Sequence, residues 1–405
     1  MKITYLAQQS PELRQPPFDG PANHMRYVAR ELQALGHSVN VAAGIDQQVW
    51  LSAEGQPFRA FQGRGAVPAV LERLLRRLQT SVRFPYLNYF ESRRFAAGLT
   101  RTFPQTQALL QRASWTSYGG AFAGRWLGVL WVLEYNGDPL HALSAKGMAP
   151  QGLQRQISTE IMRSTLHSAD HLIASGQGWR RNLIETWQVP EQRITVIENG
   201  TPLVDLLTRG QLRNFEPGAA AKIEIVYLGG FDAWQGTQQA LLAFKRLLAA
   251  HIPAHLVMIG AGVTLAESQA LADKLGLEGA VTFTGALSPE AYAPYLAAAE
   301  IGLSPYCGWK EFSGLKLFDY KAAGLAIIAS GEGDQPLTLT HGENGWIVPP
   351  CDEEALGAAL IHLASDRDLR RRLGQNARLE AEQQHSWRHT VQAIAALLTD
   401  LSHVY

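Results

Sequence analysis

Short apolar runs separated by longer amphipathic stretches recur along the chain, the rhythm of strands alternating with helices in parallel βαβ units. In the first half, residues 3–7, 39–43, 128–135, 171–174 and 194–197 read as strands. A turn-rich loop with Pro16, Pro17, Asp19, Gly20 and Pro21 follows the first of them. A helical pattern through Tyr27, Val28, Leu32 and Leu35 comes next, and Gly36 ends it. Between 201 and 222 the period lapses among Pro and Gly, which reads as an interdomain linker. A second series then begins, with strands at 223–228, 255–259, 281–284, 301–303 and 326–329. Helices at 238–250, 265–275, 291–299 and 315–323 alternate with them, and a helix at 387–401 closes the pattern.

A chain of 405 residues, 46% apolar, exceeds what one core usually supports. The expected architecture is therefore α/β, with two doubly wound Rossmann-like domains facing a central cleft and ligands at the strands' carboxyl ends. Residues 1–205 form the first domain, 206–384 the second, and 385–405 a helix returning to the first. No apolar run reaches the ~18–20 residues of a membrane span, and the opening MKITYLAQQSPEL reads as a buried strand rather than a secretory leader. Cys307 and Cys351 have neither a pairing nor a metal spacing, so packing accounts for each and a reducing, cytoplasmic address follows.

Net charge is zero but unevenly spread. From Arg59 to Arg125 there are 11 arginines against Glu72 and Glu91, a net of +9. Zero overall charge disfavours bulk nucleic-acid binding, while the basic segment suits a local anionic surface. Near 70–78, apolar positions interleave with Arg73, Arg76 and Arg77, and Phe84, Tyr86, Tyr89 and Phe90 follow. That pattern is either a solvated face or a peripheral membrane contact for a lipid-linked acceptor.

The most informative stretch is EFSGLKLFDYKAAGLAIIAS, 311–330. Glu311 and Asp319 lie eight apart, with Gly314 in a short loop before helix-forming residues. If Leu315 or Lys316 opens that helix, Asp319 sits about one turn in. Backbone N–H groups at such a terminus suit a diphosphate, carboxylates accept hydrogen bonds from sugar and ribose hydroxyls, and Lys316 adds a mobile positive charge.

This segment resembles glycosyltransferase family 4 of the GT-B superfamily, one subgroup of which writes it S-P-L-K-L-F-E-Y-M-A-A-G. Here the letters are Ser313, Gly314, Leu315, Lys316, Leu317, Phe318, Asp319, Tyr320, Lys321, Ala322, Ala323 and Gly324. The resemblance implies that Glu311 contacts the donor sugar and Asp319 the ribose, with Ser313, Gly314 and Leu315 beside the donor. Residues 169–200, 227–236 and 281–306 are similar to the family's flanking segments, and the loop near Gly20 to its glycine-rich first loop. Two departures stand out. The family's commonest loop after the first strand of the second domain places Arg and Lys where Gly230 and Gln235 stand, with Trp234 between them. Many members end the strand VLEYN with His, where this chain has Asn136, which cannot titrate near neutral pH.

Plainer readings exist for each position. Glu311, Asp319 and Lys316 are a loop acid, a helix-surface acid and an exposed lysine; Glu134, Asn136 and Gly20 are turn residues; His24 is structural or on the surface. Ser365-Asp366-Arg367-Asp368 carries the D-x-D letters of metal-dependent transferases but falls between two helical patterns, so Ser365 or Asp366 reads as an N-cap. Gly260-Ala261-Gly262 lacks the third glycine of a dinucleotide fingerprint, and no Gly-Lys-Ser/Thr triple occurs.

The resemblance thus implies a retaining hexosyltransferase without metal or other cofactor. Glu311, Lys316 and Asn136 would serve the chemistry, and a nucleoside diphosphate sugar, UDP-linked by expectation, would be the donor. The acceptor would be a glycan, glycolipid or small molecule, in polysaccharide or glycoconjugate biosynthesis. Two alternatives are a GT-B nucleotide-sugar epimerase and a non-catalytic donor-binding partner of another transferase.

Overall fold

A computed structural model describes the chain except residues 11, 17, 47, 64–68, 82–87, 146, 213–221, 308–313, 332–337 and 404–405. It divides into two compact units, Met1–Glu198 with Val391–Tyr405, and Asn199–Thr390. The first boundary falls before the position expected at 205. Part of the stretch read as a linker belongs to the second unit instead, because Leu203 and Leu207 are buried in that unit's core. The Thr201 hydroxyl also donates to Asp319.

The first unit holds eight strands: β1 (Lys2–Ala7), β2 (Ser38–Ile45), β3 (Gln48–Ala53), β4 (Arg59–Ala60), β5 (Ala108–Arg112), β6 (Leu130–Tyr135), β7 (His171–Ala174) and β8 (Ile194–Val196). They form one sheet in the order β4-β3-β2-β1-β5-β6-β7-β8. β1 pairs in parallel with β2 on one side and with β5 on the other. β3 and β4 add an antiparallel edge. The strands β3, β4 and β5 were not legible in the pattern. The first two owe their pairing to a hairpin edge, and β5 is a short ALLQR run without alternation, buried at four of five positions.

The second unit has β9 (Ile223–Leu228), β10 (Ala254–Ile259), β11 (Val281–Gly285), β12 (Ile301–Ser304), β13 (Ala326–Ser330) and β14 (Trp346–Val348). These are parallel throughout, in the order β11-β10-β9-β12-β13-β14. Each sheet therefore reverses its winding once, between β1 and β5 and between β9 and β12. The carboxyl ends beside those reversals are where such folds leave room for ligands.

The helix Leu315–Ala322 starts where its sequence predicts, with Gly314 as its N-cap. Asp366 is confirmed as a cap: it precedes the helix Arg367–Gln384 and accepts from the Leu369 N–H at 2.9 Å. The cysteines correct the sequence reading, since Cys307 and Cys351 form a disulfide. A spacing of 44 residues carries no motif. Only the fold brings the segment after β12 against the turn after β14. Among the described residues, no helix is long and apolar enough to cross a membrane.

An ion pair between a buried lysine and a partly exposed glutamate holds the helix Leu315–Ala322 to the helix Arg367–Gln384. Lys321, with no exposed surface, donates to Glu380 Oε1 at 2.7 Å. The Asn344 amide donates to Glu380 Oε2 at 2.6 Å, and His385 Nε2 lies 3.3 Å from Oε1. Burial works against the Glu380 carboxylate, yet His385, Lys321 and Asn344 together hold it down at about 2, against an ordinary 4.5. A carboxyl lowered by folding adds stability that is complete above its unfolded value and lost as pH falls through the folded one. Glu380→Gln leaves a buried ammonium short of its counter-charge. The expected cost near pH 7 is about 2 kcal/mol, below that of a fully buried pair because the glutamate is partly exposed. Urea titrations should show the gap to wild type narrowing as pH drops from 4.5 toward 2; a gap independent of pH counts against the pair.

Candidate active site

At the reversal between β9 and β12, the residues leaving β9 are Gly229 and Gly230. Gly229 has φ +153, and a Cβ there would lie 2.7 Å from Lys316 Nζ, so only glycine lets the lysine approach. The Gly230 carbonyl accepts from the Tyr227 hydroxyl at 2.6 Å. A short 3-10 turn, Ala233–Gln235, follows, and buried Gln235 turns its Oε1 toward Lys316 Nζ at 2.7 Å. Gly236 is obligatory: its φ is +70, and a Cβ would meet the Pro305 carbonyl oxygen at 1.6 Å.

Lys316 is thus not an exposed lysine but is 94% buried, the complement of 6% exposure. Its ammonium lies 4.7 Å from the Tyr227 ring centroid and 4.6 Å from that of Tyr306. Trp234 stacks on Tyr306 at 5.7 Å and 11°. Two aromatic faces and an amide oxygen stabilise the positive charge. Gly314 is the N-cap of the helix Leu315–Ala322, and Lys316 stands in the first turn of that helix, at its positive end. The chemical capacity of this arrangement is anion binding.

Asp319 stands one turn into that helix and is buried rather than on its surface. Thr201 donates to one of its oxygens at 2.5 Å and Tyr292 to the other at 2.9 Å. Burial raises its carboxyl to about 6, and those two hydrogen bonds limit the rise. Glu311 and Ser313 lie outside the described residues. Gly230, Gln235, Gly314, Leu315, Lys316 and Asp319 all belong to this second unit.

Gly20 and Asn136 belong to the first unit. Gly20 opens the helix Gly20–Ala34, and Asp19 caps it by accepting from the Ala22 N–H at 2.8 Å. Asn136 follows β6, and its Nδ2 is buried without a hydrogen-bond partner. Glu134 and His24 are not turn and surface residues: each is 3% exposed, and they face one another at 3.4 Å. The Tyr5 hydroxyl also donates to Glu134. Burial pushes the Glu134 carboxyl up, but His24 by charge and hydrogen bond, then Tyr5 and Arg112, bring it below its ordinary value.

Beside the β1/β5 reversal lies a cavity of about 550 Å³, lined among others by Gln8, Asp19, Glu91, Arg94, Arg112 and Ser114. Arg112 Nη1 and Ser114 Oγ are both buried without a hydrogen-bond partner. Buried polar atoms are rarely left so, which marks this cavity as a place for a polar ligand. Sequence reasoning missed Tyr227, Tyr306, Arg112 and Ser114. Their only signal was position, at the ends of strands flanking a reversal, and β5 had not been read as a strand. Among the described residues, no group of three or more His, Cys, Asp or Glu is placed to hold a metal.

Comparison with known proteins bears on the family. Residues 210–380 match the model of "Glycosyl transferases group 1", and residues 19–200 that of "Glycosyl transferase 4-like domain". A D-inositol 3-phosphate glycosyltransferase of Corynebacterium jeikeium is 28% identical over 247 residues, 58% of this chain and 58% of that protein. A phosphatidyl-myo-inositol mannosyltransferase of Mycolicibacterium smegmatis is 29% identical over 36% of this chain and 37% of its own length. The chain thus spans less than two thirds of either relative. Among solved structures, Anabaena HepE in complex with UDP and glucose superposes with TM-score 0.72 at 17% identity, covering 98% of this chain and 99% of that one. A sucrose-phosphate synthase from Thermosynechococcus elongatus gives 0.71 at 20% identity, covering both chains in full. The two family models together account for both units, the fold of each unit is that of the solved relatives, and the chain belongs to family 4 of the GT-B glycosyltransferases.

Proposed function

We propose that this protein is a retaining glycosyltransferase that takes a hexose from a UDP-linked donor held by the second unit. The observation that carries the reading is the Lys316 ammonium between Gln235, Tyr227 and Tyr306 at the open end of a helix. Family members commonly neutralise a diphosphate with an Arg and a Lys at the positions of Gly230 and Gln235. Here one buried lysine and the helix terminus supply that charge. Asp319 takes the ribose through its remaining lone pairs, and Glu311 the donor sugar. During transfer the bond from the anomeric carbon to the β-phosphate oxygen breaks, and the acceptor oxygen bonds on the same face. The acceptor's proton passes to the departing phosphate, whose charge Lys316 and the helix N–H groups stabilise. No metal takes part, and activity is expected to persist in chelator.

The acceptor is a hydroxyl of a polyol or sugar bearing a phosphate or carboxylate, seated in the first unit's cavity. Arg112 and Ser114 carry unsatisfied buried donors there, and the relatives act, by name, on inositol 3-phosphate or phosphatidylinositol. Association with an anionic membrane is a second reading. The helix Ala69–Ser81 exposes Val70, Leu71, Leu74 and Leu78 together with Arg73 and Arg77, an apolar stripe with basic neighbours that a solvated helix has no use for.

Three measurements test these readings. Calorimetry should show UDP binding, weakened by about 1.5–3 kcal/mol in Lys316→Ala, with uridine affected much less. Equal losses for UDP and uridine remove Lys316 from the phosphate site. In transfer assays with UDP-hexoses, Arg112→Gln should raise KM for phosphorylated polyols roughly tenfold or more while leaving neutral acceptors unchanged. Uniform loss on both acceptor types means that Arg112 is structural. Vesicle sedimentation should show binding that grows with anionic lipid and falls with salt. It should be lost when Arg73, Arg76 and Arg77 all become Gln; indifference to that change rules the helix out as a membrane contact.

A further inference from the structure

Asp319 is held by two hydroxyls that come from two other elements of the second unit. Thr201 donates to Oδ1 at 2.5 Å and Tyr292 to Oδ2 at 2.9 Å. Thr201 has no exposed surface, and Asp319 and Tyr292 are buried with it. Among the described residues, these two are the hydrogen bonds that reach the carboxylate. An ionised carboxylate offers roughly four lone-pair sites. Each Asp319 oxygen therefore keeps one beyond the hydroxyl already bound to it.

The Thr201 hydroxyl has little freedom to turn elsewhere. Its backbone N–H donates to the His385 carbonyl at 2.8 Å, and Thr201 pairs with Ser386 in an isolated bridge. Its oxygen accepts the Leu203 N–H at 3.0 Å, which leaves the hydroxyl proton for Asp319. Tyr292 stands on the helix Pro289–Ala298 and packs in the same core cluster as Leu203 and Leu317. Both donors are thus fixed by the core of the second unit.

These hydroxyls also decide how easily the acid ionises. Burial is the largest influence and favours the neutral form; Thr201 and then Tyr292 oppose it, leaving the carboxyl at about 6. The other titratable or charged groups nearby are Lys316, Tyr320 and Lys321 on its own helix. Arg378 and Glu380 reach that helix from Arg367–Gln384, and His385 lies against the ring of Phe318. Of the groups around it, Thr201 and Tyr292 are the ones that hold the carboxyl down.

We propose that Thr201 and Tyr292 are positioning residues for the donor: their hydroxyls hold the Asp319 carboxylate as an acceptor for the ribose hydroxyls, and the preference for a ribonucleotide depends on them. It rests on the donor reading given above, in which Asp319 takes the ribose. When either hydroxyl is removed, a buried oxygen loses its donor and the neutral acid is favoured further. A neutral carboxyl accepts more weakly, and one of its oxygens carries a proton where a lone pair was open. The ribose contact then weakens, while the diphosphate contact at Lys316 is left as it was.

The test compares UDP with 2′,3′-dideoxy-UDP by calorimetry on the full-length protein, over a pH series that spans the Asp319 value of about 6. Both ligands carry the same diphosphate, so its own ionisation cancels in the ratio of their affinities. Wild type should prefer UDP roughly tenfold or more near neutral pH, the scale of charge-assisted contacts. The preference should fade as pH falls through about 6, where the carboxylate gains its proton. In Thr201→Val and in Tyr292→Phe the fade should move to higher pH. The preference at neutral pH then shrinks, while affinity for the dideoxy ligand stays near wild type. Thr201→Ser keeps the hydroxyl and should retain the wild-type profile; Tyr292→Phe carries the test alone if Thr201→Val does not melt cooperatively. A preference unchanged at every pH in the folded variants, or an equal loss for both ligands, overturns the positioning role and leaves the donor reading standing. Wild type that binds the two ligands alike at every pH, or binds neither, overturns the ribose contact of Asp319 and the inference together.

Discussion

Helical connections that leave two neighbouring parallel strands toward opposite faces of a sheet cannot fill the space above the strand ends between them. Both units of this protein are built around such a gap, one between β1 and β5, the other between β9 and β12. What each gap contains follows from which residues happen to stand at the strand ends. In the second unit these are glycines on one side and an aromatic on the other, with a lysine-bearing helix opening above them. In the first unit they are polar and charged residues, with a capped helix alongside. The same topological constraint thus leaves a buried lysine among aromatic rings in one place and a polar cavity in the other.

The lysine site shows how a family pattern can be kept while its charges are moved. Replacing an Arg and a Lys by Gly230 and Gln235 removes two cations from the loop after β9, yet the space they vacate is not empty. Gly229 lets the Lys316 side chain pass close to the backbone, and Gln235 supplies an oxygen that holds its ammonium at 2.7 Å. Burying that ammonium is costly unless it is compensated. The faces of Tyr227 and Tyr306, with the Gln235 oxygen, contribute to that compensation. The neighbouring helix is tied down separately: Lys321 and Glu380 anchor it from behind, so the two lysines of one helix do opposite work, one structural and one facing the site.

Burial also changes what Asp319 can do. With its carboxyl raised to about 6, it remains mostly ionised near neutral pH and gains a proton within the mildly acidic range. Thr201 reaches it from the segment that the hydrophobic pattern had assigned to a linker. That hydrogen bond and the burial of Leu203 and Leu207 place the start of this segment in the second unit, which begins at Asn199.

Period and punctuation alone were enough to read two αβ series, ten of the fourteen strands among the described residues, and the start of the helix at Leu315, because these depend on local alternation and on glycine or proline breaks. Spacing along a loop and a helix also singled out Gly314, Lys316 and Asp319, while Gly230 and Gln235 were legible only through the resemblance to family 4. Whether those residues are buried, and what they touch, is not local. Lys316 reads as an exposed lysine until Tyr306, ten residues earlier, and Tyr227, eighty-nine earlier, close over it, and Glu134 reads as a turn residue until His24 and Tyr5 surround it. The short strand β5, and with it Arg112 and Ser114 at its end, becomes visible only through pairing with β1 and β6. The bond between Cys307 and Cys351 is the clearest case. A separation of 44 positions carries no signal of pairing, and the two sulfurs meet because three-dimensional packing brings together the exits of β12 and β14, strands separated by β13 in the sheet.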